Sequence, residues 1–188
     1  MADMTQSPVK AYTVKEFWDY VHLPENAGRL ELVNGKVVEK ESATQLTSVI
    51  GGRIAYFLNR HVLPQNNGYV TDATAYYALS TTDCFLPNVA YISKKRHSIL
   101  MGGYFPSAPD LAIEIIQPNT KAYRSHSKLS TYARHGVKAV WEVYPDTKSM
   151  NIMYFPAKRG VSLNYNDVLV LGDILPGFTL KVSDIFPK

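Results

Sequence analysis

Pro109-Asp-Leu-Ala-Ile-Glu-Ile-Ile-Gln117 is a short, almost unbroken apolar run with a carboxylate near its centre. Such a run is the pattern of a central strand covered on both faces. Side chains alternate along a strand, so Asp110, Ala112, Glu114 and Ile116 share one face. Holding an uncompensated carboxylate between Ile113 and Ile115 costs on the order of several kcal/mol. Two compensations are open: a lysine or arginine partner, or a hard divalent cation, which takes carboxylate oxygens held on rigid elements.

The neighbouring segments repeat the theme. Phe85-Leu-Pro-Asn-Val-Ala-Tyr-Ile-Ser93 reads as a second strand, with Pro87 tolerable near an edge, a bulge or the strand start. It carries Asn88, 26 positions before Glu114. An amide oxygen can coordinate a cation, but it is neutral and weaker than a carboxylate; the alternative is an asparagine satisfied by backbone. Downstream, Ser125 to His135 is helix-compatible and Gly136 is a good terminator. Lys128 and Tyr132, four residues apart, would share one face of that helix and could both meet a neighbouring strand. Glu31, between Leu30 and Leu32, is a further carboxylate in strand context.

Upstream, Thr13 and Glu16 have capping-box spacing ahead of Val14, Phe17, Trp18 and Val21 on one helical face, and that helix stops before Pro24. Arg29 to Val33 and Lys36 to Lys40 flank Asn34-Gly35, the signature of a hairpin with a type I′ turn. From Ala43 to His61 the spacing of Leu46, Ile50, Ile54, Phe57 and Leu58 predicts a helix packed on a sheet and ended by Pro64 and the Asn66-Asn67-Gly68 cluster. The Gly51-Gly52 pair inside it marks a close approach by another backbone. Tyr69 to Leu79 reads as a strand region, Lys94 to Phe105 as a short helix plus loop, and Lys138 to Tyr144 with Met150 to Phe155 as another hairpin. Weaker strands surround Leu163, Leu169 and Phe178. The fold class is α/β or α+β, with a mixed central sheet flanked by helices. Residues 1–11 read as a flexible tail and 12–188 as one domain.

The net charge of +4, from 20 basic and 16 acidic residues, is compatible with an anionic partner. Lys94-Lys-Arg-His97 and the interval from Lys121 to Arg134, with Tyr123 and Tyr132 interleaved, could track a phosphate backbone or simply form a solvated face. A lone cysteine, Cys84, excludes an internal disulfide and suits a cytoplasmic protein. No apolar run is long enough to span a bilayer. The five histidines show no zinc spacing, and no phosphate-binding loop or nucleophile elbow is present.

In order and spacing, these segments resemble the Uma-type restriction endonucleases, a branch of the PD-(D/E)xK nuclease superfamily. The matching pieces are Leu30-Glu-Leu-Val-Asn-Gly35, Leu86-Pro-Asn-Val-Ala-Tyr-Ile-Ser93, Ala108-Pro-Asp-Leu-Ala-Ile-Glu-Ile-Ile116 with Pro118, Lys128-Leu-Ser-Thr-Tyr-Ala133, Gly136-Val-Lys-Ala-Val-Trp141 and Leu175-Pro-Gly-Phe178. The resemblance implies a restriction-endonuclease-like core with one cleft, often in a homodimer. It also implies a DNA endonuclease dependent on Mg²⁺ or Mn²⁺. Glu114 and position 88 would hold the metal, Glu31 would support them, and Lys128 would be the motif lysine moved from strand to helix. Tyr132, Gln117 and Asp110 are the supporting residues. The chain departs from the pattern where Asn88 replaces the metal-bridging aspartate, where Gln117-Pro118 replaces Ser-Pro, and where no histidine lies between Glu41 and Thr47. These departures imply impaired catalysis; the alternative is a non-catalytic nuclease fold serving as a nucleic-acid-binding or interaction module.

Overall fold

The computed structural model describes residues 10–26, 29–118 and 122–188, with the side chains of 122–126 excepted. Most of the expected tail, residues 1–9, lies outside them, as do Lys121 and the Tyr123 side chain.

Helix α1 (Val14–Val21) starts as its capping box requires: Thr13 Oγ1 accepts from Glu16 N–H at 3.3 Å, and Glu16 Oε2 accepts from Thr13 N–H at 2.8 Å. It buries Val14 and Phe17 against Leu32 and Cys84. Strands β1 (Leu30–Val33) and β2 (Lys36–Glu39) form the hairpin. Asn34 and Gly35 both have positive φ, 48° and 75°, as a type I′ turn demands. The register pairs Glu31 with Val38 and continues past the strand, where Lys40 N–H donates to Arg29 O at 2.6 Å. Arg29, Glu31 and Lys40 therefore lie on one face.

Helix α2 (Gln45–Gln65) runs past His61, with Pro64 inside its last turn, and stops at the expected Asn66-Asn67-Gly68 cluster, Asn66 closing it in the left-handed conformation. The expected close approach by another backbone is absent: an added Cβ at Gly51 would meet only the side chains of Ile115 at 3.6 Å and Val89 at 3.8 Å, ordinary contact distances, and Gly52 faces open space. Tyr69 to Leu79 splits into β3 (Gly68–Thr71) and β4 (Tyr77–Ala78), which join different sheets. Phe85 to Ser93 likewise splits, into β5 (Cys84–Phe85) and β6 (Val89–Ser93). Pro87 is the cause, since it has no N–H to give a ladder. Lys94 to Phe105 forms turns and loop with no helix.

The strand β7 (Leu111–Ile115), helix α3 (Ala122–Arg134) and strand β8 (Ala139–Tyr144) form a crossover that makes β7 and β8 parallel. The chain continues through β9 (Ser149–Tyr154) and β10 (Arg159–Leu163) to the small pair β11 (Val168–Val170) and β12 (Thr179–Lys181). The large sheet has the order β10-β9-β8-β7-β6-β3, and the small one β2-β1-β5-β4. The class is the expected mixed α+β sheet flanked by helices.

Alternation divides the large sheet cleanly. Val89, Tyr91, Leu111, Ile113, Ile115, Trp141 and Val143 pack on Ile50, Ile54 and Leu58 of α2. Ala90, Ile92, Ala112 and Val140 face Tyr132 of α3 together with Tyr77 and Phe85. Glu114 and its parallel neighbour Glu142 fall on this second face, where the small sheet closes over the end of β7.

Candidate active site

Four charged side chains from four elements meet there. Glu114 Oε1 accepts from Lys128 Nζ at 2.6 Å and from the Tyr132 hydroxyl at 2.8 Å, and its Oε2 accepts from Lys40 Nζ at 2.9 Å. Glu31 Oε1 accepts from Lys128 Nζ at 2.8 Å and from the backbone N–H of Leu86 at 2.8 Å, with Lys40 Nζ 4.0 Å away. Lys40 also donates to Leu86 O at 2.6 Å. Two carboxylates and two ammoniums thus alternate around a cavity of about 70 Å³. The side chains of Glu31, Lys40, Glu114 and Lys128 are only 7%, 11%, 11% and 15% exposed, so these are buried pairs rather than surface ones.

The electrostatics follow from burial opposed by pairing. Burial pushes the Glu114 carboxyl up, but Lys128 and Lys40 outweigh it and hold the group down at about 2. Burial alone would lower Lys128; Glu114 and Glu31 reverse this and raise it. For Lys40 burial prevails, helped by repulsion from Lys128, and its value falls below the ordinary lysine range. Its donation to a carboxylate and a carbonyl is that of an ammonium. The Tyr132 phenol is pushed well up by burial and by the two carboxylates, which keeps it a hydrogen-bond donor.

Glu31, Glu114, Lys128 and Tyr132 are thus brought into contact. Asn88 lines the same cavity, but its Oδ1 accepts from the backbone N–H of Ile115 at 3.1 Å. Gln117 stands at the rim and donates to Ser42 O at 2.9 Å. Asp110 lies away from the cleft: its partners are Ser93 N–H at 2.8 Å, Lys138 at 2.9 Å and Arg96 at 3.5 Å, all at the opposite end of β7. The strand face it shares with Glu114 is real, but the cleft reaches only one end of it. Lys94-Lys-Arg-His97 belongs to that far end too.

The donor set is a poor fit for a divalent cation as it is arranged. Both oxygens of Glu114 are engaged by cations, and the Asn88 amide oxygen is given to backbone. Among the described residues no group of three or more His, Cys, Asp or Glu side chains is placed to hold a metal ion.

The profile of the Uma2 family, described as "Putative restriction endonuclease", matches residues 17–183. The chain belongs to the Uma2 family. A crystal structure of "a putative nuclease belonging to DUF820" from Anabaena variabilis ATCC 29413 superposes with a TM-score of 0.78 at 20% identity, covering 93% of this chain and 97% of that one. At that identity the likeness shows the fold. No curated protein matches. No helix among the described residues is long and apolar enough to cross a membrane.

Four lining residues of this Uma2 chain carry charges that sequence reasoning did not single out: Arg29, Lys40, Glu41 and Glu142. The hairpin register already implied Lys40 and Arg29, since a turn at Asn34-Gly35 sets both on the face of Glu31. Glu142 bore the signal that marked Glu114, a carboxylate between apolar strand residues, here Trp141 and Val143; it accepts from the Tyr144 hydroxyl at 2.9 Å.

Proposed function

We propose that this chain is a nuclease-fold protein that binds DNA and, with asparagine at position 88, does not cleave it. The observation that carries this reading is Glu114, whose two oxygens receive two lysines and a tyrosine while the amide beside it is spent on backbone. Metal-dependent hydrolysis of a phosphodiester needs open coordination positions, and at Glu114 and Asn88 these are taken by lysine, tyrosine and backbone. Support for DNA as partner comes from the family, from the positive net charge, and from Arg29 at the cleft wall. Its guanidinium lines the cleft and is held there by donation from Nη1 to Glu41 O at 3.1 Å.

One observation favours a second reading, an active endonuclease requiring Mg²⁺ or Mn²⁺: Glu31, Glu114 and Lys128, far apart in sequence, do converge on one cleft. Incubating supercoiled plasmid with the native chain and with Glu114→Ala, in Mg²⁺ and in Mn²⁺, separates the two. The native chain is expected to leave the plasmid intact while shifting it on a gel, with binding that weakens as salt rises. Nicking by the native chain that Glu114→Ala abolishes would establish the second reading. An unshifted plasmid at low salt would remove DNA from the proposal.

A further inference from the structure

The Lys40 ammonium occupies an oxygen cage. Around its Nζ stand Leu86 O at 2.6 Å, Glu114 Oε2 at 2.9 Å and Glu31 Oε1 at 4.0 Å. A backbone carbonyl with carboxylate oxygens is the donor type that hard cations take. Leu86 precedes Pro87-Asn88, so its carbonyl belongs to the same bend that presents the asparagine. The cage is furnished by β1, by β7 and by the segment after β5, and its occupant arrives from β2, held in place by the hairpin register. Lys40 is therefore not a surface lysine that happened to fold inward; the hairpin delivers it there.

We propose that Lys40 is a built-in cation that takes the place of a divalent metal and closes the cleft to one. The proposal rests on the non-cleaving reading above and extends it from Asn88 to a second residue. Glu31, Glu114, Lys40 and Lys128 balance one another in direct contact, and Arg29, Glu41 and Glu142 line the same cavity, so a divalent ion entering at the cage would meet the Lys40 ammonium already seated on Glu114 and the Leu86 carbonyl. Asn88→Asp adds one negative charge to the cleft and Lys40→Met removes one positive charge. Only both changes together shift it by two charges toward a divalent ion while emptying the cage.

The experiment is Mn²⁺ binding, measured by calorimetry and by the loss of the free-ion EPR signal. The native chain, Asn88→Asp, Lys40→Met, the Asn88→Asp/Lys40→Met pair and the Asn88→Asp/Lys40→Arg pair are compared. Each is first checked for a cooperative thermal transition, and Lys40→Gln, which keeps a donor for the Leu86 carbonyl, replaces Lys40→Met if the latter does not fold. The expected order is no binding by the native chain, and binding by Asn88→Asp/Lys40→Met at least about tenfold tighter than by Asn88→Asp. Asn88→Asp/Lys40→Arg, which keeps the cation, should bind no better than Asn88→Asp. Equal affinity of Asn88→Asp and the Lys40→Met pair would overturn the role of Lys40 and leave the silent-site reading standing. Mn²⁺ bound by the native chain and lost in Glu114→Ala would overturn the silent-site reading itself.

Discussion

Strand β7 buries a carboxylate at each end, and the two ends do different things. Asp110 and Glu114 lie on the same face, each with two cationic partners. At the Asp110 end the partners tie connections together: Arg96 also donates to Ala108 O at 3.2 Å and to Gly136 O at 2.8 Å. Lys138 there is 49% exposed. At the Glu114 end both lysines are buried beside a cavity; Lys128 also donates to Glu31 at 2.8 Å, while Lys40 gives its other hydrogen bond to Leu86 O at 2.6 Å. A buried carboxylate with two cations is thus no mark of a functional site by itself. What separates the ends is that at Glu114 both cations are buried beside a cavity and one of them, Lys128, bridges to a second acid.

The largest difference should appear in stability. Glu114→Ala leaves Lys40 and Lys128 buried with one carboxylate between them, which is expected to cost about 3–5 kcal/mol. Asp110→Ala releases cations that can turn to water, and its lost charged hydrogen bonds should cost about 1.5–3 kcal/mol. Urea unfolding of both variants tests this ranking. A loss at Asp110 as large as at Glu114 would mean that the burial of the partners does not govern either end.

Acid should sharpen the contrast by a smaller step. The Glu114 carboxyl is held at about 2, against an ordinary value of 4.5, and the Asp110 carboxyl is also depressed below its ordinary 3.8. For Asp110, burial opposes the shift and is outweighed by the Ser93 N–H, Lys138 and Arg96. A depressed acid contributes stability that is complete above its unfolded value and is lost as pH falls through its folded one. Native stability should therefore fall from about pH 4.5 toward about pH 2. Glu114→Gln should flatten that fall more than Asp110→Asn does, as measured by urea midpoints along a pH series. If Asp110→Asn flattens it more, the principal acid-sensitive contact lies at the structural end.

The contrast also explains what could be read in advance. Glu114 was conspicuous because an acid between two isoleucines costs free energy wherever it is buried, and the Asn-Gly turn announced its hairpin because few dipeptides tolerate two positive φ values. Helical spacing alone put Lys128 and Tyr132 on one face of α3, and only the family resemblance directed the lysine at the site. Lys40 looked like any lysine ending an amphipathic strand, and only carrying the register past Glu39 puts it beside Glu31. Asp110 misled for the opposite reason: alternation gives the face of a side chain but not where along the strand the cleft begins. The break between Thr71 and Tyr77 escaped notice because both halves have strand chemistry, and Pro87, legible as lying near a strand start, did not show that Cys84–Phe85 would join the other sheet; which sheet each half joins is decided by partners far away in the chain.

The smallest expected effect is at Lys138. Its ammonium is half exposed and 2.9 Å from Asp110, so water can replace the carboxylate as its partner, while Asp110 keeps the Ser93 N–H and Arg96. Lys138→Ala should therefore cost no more than about 1 kcal/mol, and the difference from the native chain should shrink as salt rises, because a solvent-facing pair is screened. Lys128→Ala, which uncovers two buried carboxylates, should cost several times more and respond little to salt. Thermal unfolding of the two variants at low and at high salt gives both comparisons at once. A salt-insensitive loss at Lys138 equal to that at Lys128 would put a buried ion pair at each end of β7, and the distinction between a structural end and a cleft end would then have to rest on the cavity alone.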